Sequence, residues 1–193
     1  MIQRNGHDTY KSSLDICLVE SMYDYGRYLP LLDPMVDVVV SRDLDSRITT
    51  REQAAVEDWL ETGLTFHVMR DNPHHGAVVL AGLWGARLDT GDRTTLQAGM
   101  EKMLEDVRLV EGRWYKGLDQ MLLRDRMWPL IGERAAVHDS YLCEAYKSPN
   151  WRPFPTQRRA GIYNFVGSAG RMEINKTCPA KCRPPDHPEW LLC

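Results

Sequence analysis

The order of apolar and polar residues along the chain predicts three short strands. The run Met35–Val40 follows Pro34, is rich in β-branched residues and is short, which is typical of a strand buried on both faces. The segments Leu64–Met69 and Ala77–Leu83 are also apolar and predict two further strands, with a polar loop between them. All three predicted strands lie in the first half of the chain.

Three helices are predicted between and after these strands. Thr50–Gln53 has the spacing of a capping box, and the helix that begins there is expected to end at Gly63. A second helix is predicted over Thr95–Leu109 and a third over Leu118–Leu130, because Leu and Met recur there at helical spacing. Strands that alternate with helices indicate an α/β layer fold. Beyond residue 148 the chain is rich in Pro, Gly, Arg and Cys and shows no clear period.

Composition limits the class of protein. The chain has 193 residues, of which 43% are hydrophobic and 26% charged, and these values exclude a disordered or fibrous protein. No apolar run approaches the roughly 18 residues of a membrane-spanning helix. The first residues lack the apolar core of a secretory signal. We therefore expect one folded domain with an appendage, and neither a membrane span nor a targeting segment in this chain.

The net charge of −3 is unevenly distributed. Residues 147–193 contain eight Lys or Arg and three acidic residues, a charge of +5, so the rest of the chain carries −8. An acidic body with a basic tail suits a protein that binds a divalent cation and a phosphate-bearing ligand. It also suits weak nucleic-acid binding, or a tail that is merely solvated.

The most specific local feature is the segment Ser41–Arg47, directly after the first predicted strand. Ligands of open α/β sheets bind beyond the carboxyl ends of the strands. Asp43 and Asp45 can bind a hard divalent cation there while positions stay open for phosphate oxygens, which Arg42 and Arg47 can bind through their planar guanidinium groups. The alternative is an exposed turn in which the two acids pair with the two arginines.

Three other segments contain candidate binding residues. The loop His67–His75 is dense in His, Arg and Asp, so it is either a metal or phosphate site that includes Arg70, or an ordinary polar turn. Gly82–Gly85 follows an apolar run, and its glycines either permit close approach of a ligand or form a plain turn. His138 is either a further metal ligand or a structural histidine.

The order of these motifs resembles a glycosyltransferase-like group of the GT-A type. The resemblance covers about residues 25–170 and rests on SRDLDSR (41–47), FHVMRD (66–71), GLWG (82–85), LDQ (118–120), HDSY (138–141), PFPT (153–156) and NFVG (164–167). It implies a mixed sheet flanked by helices over residues 1–170, followed by a Cys-rich basic tail at 171–193. Because only 42 residues precede Asp43, it also implies that the amino-terminal nucleotide-binding half is incomplete.

The resemblance implies an enzyme that uses Mn²⁺ or Mg²⁺ to transfer a sugar from a nucleotide-sugar donor. The acceptor, whether glycan, protein or lipid, is left open, and no nucleic-acid partner is implied. The metal ligands of the group correspond to Asp43, Asp45 and His138. Catalytic residues near the reacting sugars correspond to Asp119 and Gln120. The remaining substrate-binding positions correspond to Arg42, Arg47, Arg70, Trp84, Gly85 and Asp139.

The five cysteines allow three interpretations. They are Cys17, Cys143, Cys178, Cys182 and Cys193. The last three, with His187, approach the spacing of a zinc knuckle, which would make the chain a non-catalytic or nucleic-acid-binding module. Disulfides in a secretory lumen or outside the cell are supported by the glycosylation acceptor sequence Asn175–Thr177. Free thiols in the cytoplasm are the third interpretation, and the odd count leaves at least one cysteine without an intrachain partner.

Overall fold

The structure, a computed structural model that describes residues 2–4, 26–109 and 117–193, is organised around a mixed β-sheet. Its strands in the described residues are β1 (Ile2–Arg4), β2 (Val36–Arg42), β3 (Phe66–Arg70), β4 (Leu83–Arg87), β5 (Ala135–Asp139) and β6 (Trp151–Arg152). They lie in the order β1-β2-β4-β3-β5-β6. The pairs β1–β2, β2–β4 and β4–β3 are antiparallel, whereas β3–β5 and β5–β6 are parallel. The predicted α/β class is confirmed.

Helices cover both faces of the sheet. The α-helices are α1 (Thr50–Thr62), α2 (Arg93–Leu109), α3 (Leu118–Leu122) and α4 (Trp128–Ile131), with a π-helical turn over Leu123–Met127 between the last two. Short 3-10 helices lie at Gly26–Leu32, Gly132–Arg134 and Ala180–Cys182. Helix α1 packs on one face, and α2 with the helical segment 118–131 packs on the other, where the larger apolar core lies. No helix in the described ranges is long and apolar enough to span a membrane.

Helix α1 begins and ends close to the predicted capping residues. The Thr49 hydroxyl accepts a hydrogen bond from the Glu52 backbone N–H at 3.2 Å, so the N-cap lies one residue before the expected Thr50. Gly63 ends the helix in the left-handed conformation at φ 72°, as its position predicts. The contact of Arg42 Nε with Glu52 Oε1 at 2.7 Å holds the first turn of α1 beside the carboxyl end of β2.

Strand β4 begins later than the sequence predicts. Of the predicted strand Ala77–Leu83, only Leu83 belongs to the sheet. In the irregular part, the Ala81 N–H donates to the Gln120 side-chain oxygen and the Ser41 hydroxyl donates to the Ala81 carbonyl, each at 2.9 Å. Because side chains bind these backbone groups, they are satisfied without strand pairing.

Two disulfides fix the carboxyl-terminal region. Cys143 is bonded to Cys182 and Cys178 to Cys193, with Cα–Cα distances of 5.8 and 5.9 Å. The disulfide interpretation of the tail is therefore the one that the structure adopts, and Cys178, Cys182 and Cys193 offer no free thiolates to zinc. Cys17 lies outside the described residues.

Candidate functional site

A cleft of about 370 Å³ lies beyond the carboxyl end of β2. Its polar side chains are those of Arg27, Asp43, His75, Asp119 and Gln120. Two of the expected catalytic or binding regions, the segment after β2 and the start of α3, therefore meet at one place, although 76 residues separate Asp43 from Asp119. This edge of the sheet is where α/β folds most often bind ligands.

Arg27 lies between the two carboxylates of the cleft. Its Nη1 is 3.0 Å from Asp43 Oδ1, and its Nε is 3.6 Å from Asp119 Oδ2. The Asp43 side chain is 52% exposed and that of Arg27 is 24% exposed, whereas Asp119 is more enclosed. The Arg27 guanidinium therefore contacts both carboxylates, and the Asp43 carboxylate remains open to solvent.

Gly82 lets the Asp43 carboxylate lie directly against the backbone. A Cβ at Gly82 would be 2.3 Å from Asp43 Oδ2, far inside van der Waals contact. The group that approaches Gly82 closely is therefore a side chain of the protein itself, and close approach of a ligand stays a prediction. Gly82 thus determines where the Asp43 carboxylate sits in the cleft.

The wall of the cleft around Ala81 is held by side-chain hydrogen bonds. Gln120 accepts from the Ala81 N–H and donates through Nε2 to the Val79 carbonyl, so both ends of its amide are engaged. This gives Gln120 a positioning role. Its expected catalytic role stays a prediction.

His75 contributes a neutral imidazole to the cleft. Its Nδ1 accepts a hydrogen bond from the Asp71 backbone N–H at 3.2 Å. Burial lowers the pKa of His75 to about 4, more than the nearby Asp71 and Asp139 raise it. At neutral pH the ring proton is therefore on Nε2, and His75 adds no positive charge.

The arginines that flank the Asp-x-Asp segment do not pair with its acids. Arg42 is buried and its Nε lies 2.7 Å from Glu52 Oε1. Burial raises the pKa of Glu52 to about 7, although the positive charge of Arg42 opposes this. Arg47 stacks over the ring of Tyr163 at 4.2 Å. The alternative of a turn closed by its own ion pairs is therefore wrong, and Asp45 lies exposed beside the cleft lining.

A second polar cluster at the same sheet edge is closed to solvent. Arg70 Nε lies 2.7 Å from Asp139 Oδ2, and both side chains are at most 1% exposed. Arg51 binds both carboxylate oxygens of Asp71 at 2.8 and 2.9 Å, and the Ser140 hydroxyl donates to Asp71. Arg70 and Asp139, which the resemblance assigns to substrate binding, thus bind each other and hold β3 to β5.

Trp84 and Gly85 lie inside the sheet core. The Trp84 ring is fully buried and stacked between Tyr28 and Phe66, with centroids 5.4 and 5.2 Å away. A Cβ at Gly85 would lie 2.9 Å from the Trp59 ring. Both residues therefore have packing roles, and this placement argues against direct contact with a donor sugar.

His138 is bonded at both ring nitrogens. Its Nδ1 lies 2.8 Å from His67 Nε2, and its Nε2 lies 3.1 Å from Asp58 Oδ2, a carboxylate that Arg152 also binds. In the consistent tautomers, His67 donates to His138, which donates to Asp58. No nitrogen lone pair of His138 is then left for a metal. Its contacts therefore favour the structural alternative over the expected role as a metal ligand.

The acidic groups do not form a complete metal cage. Within residues 26–109 and 117–193, no three His, Cys, Asp or Glu side chains are grouped so as to hold a metal ion. Asp43 and Asp119 are the two candidate ligands that the fold brings onto one positive group. A cation there would need oxygens from a ligand or water to complete its shell.

Sequence reasoning missed Arg27. It lies in a stretch without clear hydrophobic periodicity, and nothing near it in sequence marks it as functional. Its role becomes visible only through contacts to residues 16 and 92 positions away. A motif search cannot find such a residue, because its neighbours in space are distant in sequence.

Comparisons with protein-family models, with curated proteins and with solved structures find no match to this chain.

Proposed function

We propose that the protein is a sugar transferase that uses a divalent cation and a nucleotide-sugar donor, with the donor diphosphate bound in the cleft. The observation that carries the proposal is the convergence of Asp43 and Asp119 on Arg27 beyond the carboxyl end of β2. The motif resemblance indicates the reaction class, and the cleft offers charged side chains that suit the metal ion and the donor diphosphate.

The side chains of the cleft fit a divalent cation that is completed by its substrate. Mg²⁺ typically binds one or two carboxylates and takes its remaining ligands from substrate phosphates and water. Asp43 is open to solvent and Asp119 lies within reach of the same guanidinium, so these two would hold the ion, with Asp45 close in sequence. The cation would neutralise the negative charge that develops on the departing diphosphate.

Arg27 and the rigid wall would orient the donor. The Arg27 guanidinium supplies planar donors that suit phosphate oxygens once a cation takes over its carboxylate partners. Ser41 and Gln120 fix the Ala81 backbone, so the wall needs little rearrangement on binding. The neutral His75 adds a hydrogen-bonding group without repelling the cation.

Calorimetry with uridine and guanosine diphosphates tests the proposal directly. We expect the parent protein to bind at least one of them in the presence of Mn²⁺ and much more weakly without it. Asp43→Asn should weaken this binding by tenfold or more, about 1.4 kcal/mol, because it removes a charged ligand. Asp89→Asn is the matched control, since Asp89 pairs with Arg87 outside the cleft.

Unchanged binding in Asp43→Asn would contradict the assignment of the cleft. Failure of both diphosphates to bind with Mn²⁺ would contradict the proposed function. If binding holds, incubation with radiolabelled nucleotide sugars and release of free diphosphate would show whether the chain also performs the transfer.

A further inference from the structure

The tail segment 173–179 has no regular secondary structure and is anchored to the disulfide-linked region at three points. The side-chain amide of Asn164 binds both the N–H and the C=O of Ile174, at 2.8 and 2.9 Å. The Tyr141 hydroxyl donates to the Lys176 carbonyl. Cys178 is buried in its disulfide. Contacts at residues 174, 176 and 178 therefore hold this segment against the body of the protein.

The residues between these anchors face solvent. Asn175, Lys176 and Thr177 are all exposed, whereas Ile174 and Cys178 on either side of them are buried. The side chains of Asn175 and Thr177 are therefore both accessible from solvent. The contact that Asn175 makes, from its Nδ2 to Glu173 Oε1 at 2.7 Å, joins two exposed groups for which water competes.

Asn175-Lys176-Thr177 has the acceptor pattern for N-linked glycosylation, and the 193-residue sequence contains this pattern once. The two disulfides are an independent observation, because structural disulfides are typical of oxidising compartments. In eukaryotic cells such a compartment is also where this modification occurs. The acceptor asparagine is therefore accessible, and the disulfides indicate a compartment in which this modification occurs.

We propose that Asn175 is a site of N-linked glycosylation. The Asn175 Nδ2 forms a bond to the anomeric carbon of an oligosaccharide carried on a lipid diphosphate. The bond from that carbon to the diphosphate oxygen breaks, the lipid diphosphate leaves with the electron pair, and Nδ2 loses one proton to a base of the transferring enzyme. The product is a glycan on the outer surface of the tail, three residues from Cys178.

The test is intact-mass spectrometry of the chain secreted from eukaryotic cells behind an appended leader peptide. We expect the parent to carry a single N-glycan that an amidase specific for N-glycans removes, which converts Asn175 to aspartate. Thr177→Ala should abolish the modification, because it removes the acceptor hydroxyl while leaving Asn175 in place. Thr177→Ser is the matched control and should retain the glycan.

Both exposed substitutions are expected to leave folding intact, and the two disulfides can be checked in the same spectra. A parent chain secreted with both disulfides but without a glycan would overturn the proposal. So would a glycan that persists in Thr177→Ala, since the modification would then lie elsewhere. Neither outcome depends on the proposed transferase activity.

Discussion

Two arginine–carboxylate clusters at the same edge of the sheet differ mainly in their access to water. In the buried network, Arg51 pairs with Asp71 and Arg70 with Asp139, and these side chains are at most 7% exposed. In the cleft, Arg27 pairs with an Asp43 side chain that is 52% exposed. Both clusters contain residues of the motifs on which the family resemblance rests. Burial, rather than residue type, separates a group that holds strands together from one that is free to change partners.

The two clusters should therefore differ energetically. Removing one member of a buried, hydrogen-bonded ion pair leaves an uncompensated charge and typically costs about 3–5 kcal/mol. An exposed pair contributes only about 0–1 kcal/mol, because water solvates both charges when they separate. The Arg27–Asp43 contact can accordingly be exchanged for a ligand at low cost, whereas the Arg70–Asp139 contact cannot.

Asp71→Ala should have the largest effect, because Asp71 accepts from Arg51, Ser140 and the Val166 N–H. We expect the free energy of unfolding to fall by about 3–5 kcal/mol in urea denaturation. Asp43→Ala is the matched control and should lower it by less than about 1 kcal/mol. Equal losses in the two variants would mean that the clusters do not differ as burial implies.

Removing the Cys178–Cys193 disulfide should also weaken the buried network. The bond closes a loop of 15 residues, for which about 3 kcal/mol is expected from the entropy of the unfolded chain. The Cys193 carbonyl oxygen lies 3.4 Å from the Ser140 hydroxyl, so loss of the disulfide also loosens the surroundings of a partner of Asp71. The double variant Cys178→Ala/Cys193→Ala should lose this stability but keep most of its Mn²⁺-dependent diphosphate affinity. If the free energy of diphosphate binding fell by more than the free energy of unfolding, the tail would have to contribute to the cleft.

The pH dependence of stability should reveal the buried histidines. Burial lowers the pKa of His67 well below its ordinary 6.5 and also lowers that of His138, while Asp58 opposes both. As pH falls below about 6.5, the unfolded chain takes up protons that the folded chain excludes, so stability decreases. The loss is up to about 1.4 kcal/mol per pH unit for each histidine. His67→Gln should make this decline shallower in urea denaturation between pH 6.5 and 5.

Glu52 should act in the opposite direction over nearly the same range. Its pKa is raised to about 7 from 4.5, so between these values the folded protein binds a proton that the unfolded chain does not. Stability from this group therefore increases as pH falls. Glu52→Gln should make the acid-induced decline steeper, and an unchanged decline would show that Glu52 is ionised when buried.

Gly82→Ala should have the smallest effect on stability, below about 1 kcal/mol, because the atoms it meets belong to the exposed Asp43 side chain. The added methyl group should nevertheless displace the Asp43 carboxylate and weaken Mn²⁺-dependent diphosphate binding by roughly tenfold, or about 1.4 kcal/mol. Unchanged affinity would show that the carboxylate position is not critical. Gly63→Ala is a control outside the cleft. Because Gly63 has a positive φ, this variant should be less stable than Gly82→Ala.

Local signals were sufficient for the elements that local chemistry determines. β2 follows from a short β-branched run, and α1 was located to within one residue from the capping signals at Thr50 and Gly63, because capping depends on neighbours within a few residues. The start of β4 could not be predicted, because Ala81 is bound by Ser41 and Gln120, residues about 40 positions away on either side. Strand β5 was missed because its sequence, Ala-Ala-Val-His-Asp, has only one β-branched residue and ends in two polar residues, although all five are buried.

The candidate site was only partly predictable for the same reason. Asp43 could be selected because the carboxyl end of a buried strand is a favoured place for a ligand. Trp84 and Arg70 have side chains typical of ligand binding, but their burial depends on the helices and strands packed around them. Arg27 became a candidate only when the fold placed it against Asp43 and Asp119.

The parallel pairing of β3 with β5 also has a consequence for the order of folding. Arg70 and Asp139, at the ends of these strands, are 69 residues apart in the chain. Closing so long a loop costs entropy before any contact is gained, and sheets dominated by such pairings fold slowly. The antiparallel pair β3–β4, with a much shorter connection, should form first. The edge that carries the cleft is then completed late, and during synthesis it must wait until β5 has left the ribosome.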